Sequence, residues 1–334
     1  MVADIVWQAL GQPKHYLEPF CGSAAVLLAR PNPKREYIET VNDADGFIAN
    51  VWRALQAAPD EVAKVCDYPV NHADLSARKL KLIANKERLL ENLIADPEWY
   101  DAKLAGYWIW AACCWIGSGL TSIGQIPHLS NAGKGVHSIG KRPHLSSAGK
   151  GVHAIGQRPH LSHAGVGVHA IGKRPSEPQP ALDVREPYNT GIYDWFRELS
   201  ERLRYVRVVC GDWTRVCGGN WQDNMGDVGI FFDPPYAVED RDNVYEVEDK
   251  QVAHAVRAWS IERGNLPSYR IVIAGYDEHA EELTAAGWRL HHWKTNNGYA
   301  NTGNNPQGKL NAKRECLYSS PYCLNTGNGN LFEE

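Results

Sequence analysis

The sequence lacks the segments and motifs that define several common classes of protein. Its longest apolar stretches, near residues 104–117, are broken by Gly106 and Gly117 and fall far short of a membrane span. The first ten residues, MVADIVWQAL, have neither the basic start nor the cleavage site of a signal peptide. There is no G-x-G-x-x-G and no G-x-x-x-x-G-K-[ST], which disfavours a nicotinamide dinucleotide and phosphate-loop ATP chemistry.

Paired cysteine motifs are also missing. The 8 cysteines include no C-x-x-C pair, and Cys113 and Cys114 are adjacent, an arrangement poorly suited to pairing with each other. We therefore expect reduced thiols in a cytoplasmic protein, most of them small buried apolar side chains.

Acidic residues are missing from one long segment. The whole chain of 334 residues has a net charge of −4, but residues 102–176 contain no Asp or Glu and eight Lys or Arg. The rest of the chain carries 27 basic against 39 acidic residues. A basic insert in an acidic body predicts an element that binds a polyanion, although a solvated loop with a chance charge bias remains open.

The same segment contains an internal repeat. PHLSNAGKGVHSIGKR (127–142), PHLSSAGKGVHAIGQR (143–158) and PHLSHAGVGVHAIGKR (159–174) are three copies with a period of 16 residues. Short stacked hairpins and a glycine-rich loop that orders on its ligand are both compatible with this pattern. The spacing of the repeat histidines matches no familiar ligand pattern, so we expect no metal site.

Outside the insert the pattern alternates strands and helices. Strand candidates are 15–20 and 35–41 before the insert, and five more follow it at 205–213, 228–232, 269–276, 288–294 and 314–320. Helices are predicted between them, and three more at 59–66, 73–95 and 97–116. The sequence therefore predicts an α/β fold with a sheet of about seven strands. We expect residues 1–65 and 188–334 to form one domain, and residues 66–187 to be an insert that carries the repeats.

One strand ends at an unusual corner. GIFFDPPYAVED (229–240) is an apolar run that stops at Asp233, and neither Pro234 nor Pro235 has an N–H to continue a ladder. A stiff corner at the carboxyl end of a strand lies where α/β sheets bind ligands. It would offer a carboxylate, carbonyl groups and the aromatic ring of Tyr236.

Other strand ends suggest a nucleoside-bearing cofactor. Gly22 follows the first strand at a turn before a helix, where backbone can approach a ligand closely. Asp43 ends the second strand, and its distance along the chain from Gly22 is the one at which nucleoside-binding proteins place a carboxylate for the ribose hydroxyls. Asp45 is better explained as a negative charge at the N-terminus of a helix. Glu18 and Asp212 complete a set of acidic strand ends.

These motifs together resemble one enzyme family. YLEPFCGSAAVLLARP, VNDADGFIANVWRAL, CGDW and FFDPPY look like the S-adenosylmethionine-dependent DNA adenine-N6 methyltransferases, and most like the DNA adenine methylase (D12 class) group. The order of cofactor turn, insert and DPPY is the same, and the resemblance covers about 200 of the 334 residues. Relatives usually have a Gly-Gly-Lys segment before the first strand. No such segment is present here, so either the cofactor pocket is more open at this end or the C-terminal KTNNGYANTGNN covers it, and a truncated gene start is a third alternative.

The resemblance implies a Rossmann-like, seven-stranded methyltransferase sheet and a role for each motif residue. Glu18, Phe20 and Gly22 would line the methionyl side of S-adenosylmethionine, Asp43 would bind its ribose and Asp212 its adenine. Asp233 and the Pro234 carbonyl would accept hydrogen bonds from the exocyclic amine of the target base. Tyr236 would stack on that base after it is flipped from the duplex. DNA backbone contacts are expected from the insert residues Lys134, Lys141, Arg142, Lys150, Arg158, Lys173 and Arg174.

The expected protein is a cytoplasmic or nucleoid-associated monomer that acts on double-stranded DNA, with no membrane association. A cognate restriction endonuclease would be a natural partner. Cytosine-N4 methylation is the nearest alternative, because it uses the same corner on another exocyclic amine. Methylation of RNA or of a glutamine amide fits the DPPY motif less well. A DNA-binding relative without catalysis is the alternative from another class.

Overall fold

The computed structural model describes residues 2–115, 120, 191–219, 226–235, 243–292 and 314–324. Within these residues the elements alternate as the sequence predicts. In chain order they are α1 (Val2–Leu10), β1 (His15–Glu18), α2 (Ala25–Leu28), β2 (Ile38–Asp43), α3 (Gly46–Ala57), α4 (Pro59–Cys66), α5 (His72–Ala95), α6 (Ala102–Cys114), α7 (Gly191–Leu203), β3 (Val206–Cys210), α8 (Thr214–Cys217), β4 (Val228–Phe232), α9 (Asn243–Gly264), β5 (Tyr269–Tyr276), a 3₁₀ turn (Asp277–His279), α10 (Ala280–Ala285), β6 (Arg289–His292) and β7 (Glu315–Ser319).

Seven strands form one mixed sheet in the order β3-β2-β1-β4-β5-β7-β6. β1 pairs in parallel with β2 and β4, and β4 pairs in parallel with β5. β7 is antiparallel to both of its neighbours, β5 and β6. The α/β class and the sheet of seven strands are therefore confirmed, and the arrangement is compatible with a Rossmann-like fold. The 16-residue repeats lie outside the described residues.

The chain divides into two compact units, residues 1–42 with 213–334, and residues 43–212. The predicted boundaries of the insert, 66–187, stay a prediction, because most of that range lies outside the described residues.

In the first unit, helices pack on both faces of the central strands. On one face, a Cβ atom added at Gly229 of β4 would lie only 2.5 Å from Pro13 Cγ. Because glycine has no side chain, the segment that follows α1 can pack closely against β4. Trp7 of α1 stacks against Tyr16 of β1 on this face, with ring centroids 4.7 Å apart. On the other face, Trp259 of α9 packs edge-on against Phe232, with centroids 5.8 Å apart.

The second unit has a helical core. Asp45 caps α3 by accepting a hydrogen bond from the Phe47 amide at 2.8 Å, which confirms its prediction as a helix N-terminal charge. Asp101 caps α6 through the Leu104 amide, so this helix begins five residues later than the predicted 97. The buried side chains that α3, α5, α6 and β3 pack together include Phe47, Leu75, Leu82, Leu89, Leu93, Leu104, Trp110 and Cys210.

All 8 cysteines are free and buried, as predicted. Burial raises the pKa of Cys113 to about 12, which keeps this thiol protonated at neutral pH.

Candidate functional site

The strand order reverses between β1 and β4, the two central strands of the first unit. In open α/β sheets, ligands bind outside the carboxyl ends of the strands at such a switch point. Glu18 is the last residue of β1, and Asp233 directly follows β4. Both predicted acidic residues therefore flank the switch point.

Glu18 is a buried carboxyl group, with 2% of the residue exposed. Its Oε2 accepts hydrogen bonds from the Tyr16 hydroxyl at 2.9 Å and from the Leu27 amide at 3.0 Å. Burial raises the pKa of Glu18 to about 8, and these two hydrogen bonds oppose the rise. The nearby charge of Asp233 raises the pKa of Glu18 further. The register agrees, because Leu17 of β1 is opposite Ile230 of β4 and both strands end at the same edge.

The turn after β1 is tied to β2 by hydrogen bonds. The Cys21 amide donates to the Asn42 carbonyl at 2.9 Å, and the Asn42 side-chain amide donates to the Pro19 carbonyl at 3.0 Å. Phe20 is half-buried, and its ring lies 6.3 Å from that of Phe232.

Gly22 has open space beside it. Its φ of +45° lies in the left-handed region that favours glycine, and an added Cβ would meet nothing within 4 Å. The backbone at Gly22 is therefore accessible at the carboxyl edge of the sheet, where a ligand could lie against it.

The corner after β4 combines an exposed carboxylate with two prolines. Asp233 and Pro235 are exposed, whereas Pro234 is buried. The buried Pro234 anchors the corner to the end of a strand whose five residues are all buried. Tyr236 lies outside the described residues, so its stacking role stays a prediction.

The other two predicted cofactor residues lie in the second unit. Asp43 ends β2, and its Oδ1 accepts a hydrogen bond from the Asp45 amide at 2.8 Å. The Gly211 amide donates to the Asp43 carbonyl at 3.0 Å, which brings the exposed Asp212 next to the end of β2. The structure thus groups Glu18, Phe20, Gly22 and Asp233 in one unit, and Asp43 and Asp212 in the other.

Two residues near the site were not predicted from the sequence. Tyr16 holds Glu18, and their spacing of two residues on one strand is a signal that could have found it, because such residues share a face. Glu315 begins β7, and its pKa is raised by burial and by the nearby charge of Asp233. The tail KRECLYSSP, which contains Glu315, is similar to the last catalytic stretch of the same family, but the sequence assigned no role to Glu315 itself.

The seven predicted DNA-binding residues, from Lys134 to Arg174, lie outside the described residues. No helix in the described part of the chain is long and apolar enough to cross a membrane. In comparisons with known proteins, the chain matches no family model and no curated protein sequence.

Proposed function

We propose that the protein is a site-specific DNA methyltransferase that transfers a methyl group from S-adenosylmethionine to the N6 amine of adenine. The observation that carries this proposal is the placement of Glu18 and Asp233 at the carboxyl ends of adjacent parallel strands, on either side of the sheet's switch point. The seven strands, with β7 reversed between β5 and β6, also suit the methyltransferase sheet that the sequence resemblance implies.

The residues of the first unit are compatible with the methionyl end of the cofactor. Gly22 leaves open space where a side chain would otherwise stand, so a ligand can approach the backbone closely here. The resemblance assigns the methionyl side to Glu18, Phe20 and Gly22, the ribose to Asp43 and the adenine ring to Asp212. When bound, S-adenosylmethionine supplies an electrophilic methyl group: the amine lone pair forms the new N–C bond as the S–C bond breaks and its electron pair stays on sulfur.

The corner after β4 acts on the amine. An aromatic amine is a poor nucleophile, because its lone pair is delocalised into the ring. Asp233 and the Pro234 carbonyl accept hydrogen bonds from the two N–H groups and draw the nitrogen toward a tetrahedral geometry, which directs the lone pair at the methyl group. After transfer the nitrogen is positively charged and releases one proton to water.

The substrate would be double-stranded DNA with the target base flipped out of the helix, because the reacting amine is otherwise inside the duplex. The basic insert would contact the phosphate backbone. A monomer in the cytoplasm or nucleoid, with or without a restriction endonuclease partner, is part of the same proposal.

Exchange of Asp233 tests the chemistry. In Asp233→Ala we expect methylation of duplex DNA to fall by at least about a hundredfold, because one of the two preorganised acceptors is lost. Binding of S-adenosylmethionine, measured by calorimetry, should be retained. Asp227→Ala is the matched control, since this exposed aspartate precedes the same strand at its opposite end and should not affect turnover.

Methylation-sensitive long-read sequencing of DNA from cells that express the protein identifies the product. N6-methyladenine at a recurring site supports the proposal. N4-methylcytosine would shift it to the cytosine enzymes, and an unmodified genome with retained DNA binding would leave a catalytically silent relative. Turnover at the wild-type rate in Asp233→Ala would remove Asp233 from the mechanism.

A further inference from the structure

We propose that Glu315 is a positioning residue for this methyl transfer: its carboxylate strengthens Asp233 as a hydrogen-bond acceptor and stabilises the positive charge that develops on the amine. This inference rests on the proposed function. It adds to the site a residue from the last strand, 82 positions after Asp233.

The sheet register places Glu315 and Asp233 on one face and at one edge. Phe231 of β4 is opposite Val272 of β5, so these two residues share one face of the sheet. Asp233 comes two residues after Phe231 and is therefore on that face as well. Tyr276 lies four residues after Val272 on that face, and it is opposite Glu315. Since β7 is antiparallel to β5, its first residue lies at the edge where the parallel strands end.

The electrostatics agree with this placement. Burial and the charge of Asp233 both raise the pKa of Glu315, in agreement with their shared face and edge of the sheet. An interaction between two charges is mutual, so Glu315 acts equally on Asp233. Strand β5 separates the strands of these two residues, so Glu315 acts on Asp233 through its charge and not by contact. A second negative charge at the same edge helps Asp233 to hold the protons of an amine and favours a cationic nitrogen over a neutral one.

The neighbouring cation is held by other groups. Arg314 forms an ion pair with Asp277, with Nε and Oδ1 at 3.3 Å, and its guanidinium lies 5.1 Å from the centre of the Tyr276 ring. Among the described residues, the titratable and charged groups around Glu315 on the adjoining strands and turns are Asp233, Tyr276, Asp277, His292, Arg314 and Cys316. Among them, Asp233 is the charge that raises the pKa of Glu315.

The first experiment needs no enzymatic activity. The carboxyl carbon of Glu315 is followed by NMR across pH in protein labelled at glutamate, and its signal is assigned by its loss in Glu315→Asp. In Asp233→Asn the pKa of Glu315 should fall, because the neighbouring negative charge is gone. An unchanged pKa would overturn the inference, whether or not the protein methylates DNA.

The second experiment measures turnover. In Glu315→Gln we expect kcat for DNA methylation to fall about tenfold at a pH where Glu315 is ionised, with little change in KM. In the wild type, kcat should rise with pH as Glu315 ionises, and this rise should be absent in Glu315→Gln. Glu315→Asp should restore part of kcat and part of its rise with pH. A purely structural role would not remove this limb of the pH profile. Glu281→Gln, an exposed glutamate on α10, is the matched control and should keep the wild-type profile.

The two experiments separate the possible failures. Wild-type kcat and pH profile in Glu315→Gln would overturn the inference and leave the proposed function intact. A wild-type protein that methylates no DNA, but shows the coupling of Glu315 to Asp233, would overturn the proposed function instead.

Discussion

A single buried carboxyl group links the stability of the first unit to pH. Glu18 lies at the end of β1, where burial raises its pKa to about 8 from an ordinary value of 4.5. The folded protein therefore binds this proton more tightly than the unfolded chain does. Between these two pKa values the folded state is stabilised by the proton, and this stabilisation is lost as pH rises through about 8.

We expect Glu18→Gln to remove this dependence. A glutamine oxygen can still accept hydrogen bonds from Tyr16 and Leu27, but it carries no charge at any pH. Relative to the wild type, the variant should gain stability as pH rises from 5 to 9, with a difference on the order of 4 kcal/mol at the upper end. Urea unfolding of both proteins across this range measures it. If the difference in free energy of unfolding between the wild type and Glu18→Gln does not vary with pH, then the pKa of Glu18 is not raised in the folded protein.

The acidic residues at strand ends could be predicted from sequence because each ends or follows a recognisable strand. Glu18 and Asp233 follow apolar residues and precede proline, so their place at the edge of a sheet is a local property. Glu315 could not be found this way, because its position depends on β7 inserting antiparallel beside β5. The pairing of β7 with β5 depends on tertiary packing, and the sequence pattern within each strand does not predict it.

At the scale of elements, one arginine connects several parts of the second unit. Arg53 of α3 is 5% exposed, and its guanidinium donates to four carbonyl groups on β3, at the end of α5 and in the segment before α6. These acceptors are Val208, Leu93, Asp96 and Trp99, at 3.0, 3.1, 2.8 and 3.3 Å. The arginine therefore satisfies backbone groups that have few other partners where a helix ends.

Arg53→Met should destabilise this unit by about 3 kcal/mol, because buried carbonyl groups lose their donors. Urea unfolding gives the free energy, and limited proteolysis should show faster cleavage between α5 and α6. Arg88→Met is the matched control: its side chain, on α5, is 59% exposed, and its loss should cost no more than about 0.5 kcal/mol. Equal effects of the two substitutions would contradict the role of Arg53.

The prediction of elements succeeded where local signals were complete. The strand at 269–276 and the helix at 59–66 have the predicted bounds, since an apolar run and a leading proline define them. The helix after Gly22 is shorter than its sequence suggests, because Ala24 adopts a left-handed φ of 51° and delays the start. The helix α1 was not predicted, although Val6, Trp7 and Leu10 give it a buried stripe.

For the whole molecule, charge is divided unevenly along the chain. The seven basic residues of the three repeats stand in a segment without acidic residues, whereas the rest of the chain is acidic. Under the proposed function, the acidic remainder of the chain would repel DNA and the basic segment would supply the contacts to its backbone.

Deletion of residues 127–174 should weaken DNA binding and reduce its dependence on salt. If all seven basic residues contact phosphates, the slope of log affinity against log salt should fall in magnitude by about six. A full-length variant with these seven residues changed to Gln is the control for chain length, and it should behave like the deletion. Affinity and slope equal to those of the wild type would make the repeats an inert expansion.

The reversed strand β7 has a consequence for the order in which the protein can become active during synthesis. β6 leaves the ribosome before β7, yet it joins the sheet through β7, at the far side from β5. A nascent chain still lacking residues 314–319 therefore holds the DPPY corner and the Gly22 turn but cannot close this side of the sheet. Under the proposed function, we therefore expect methyl transfer only after residues 314–319 have been synthesised.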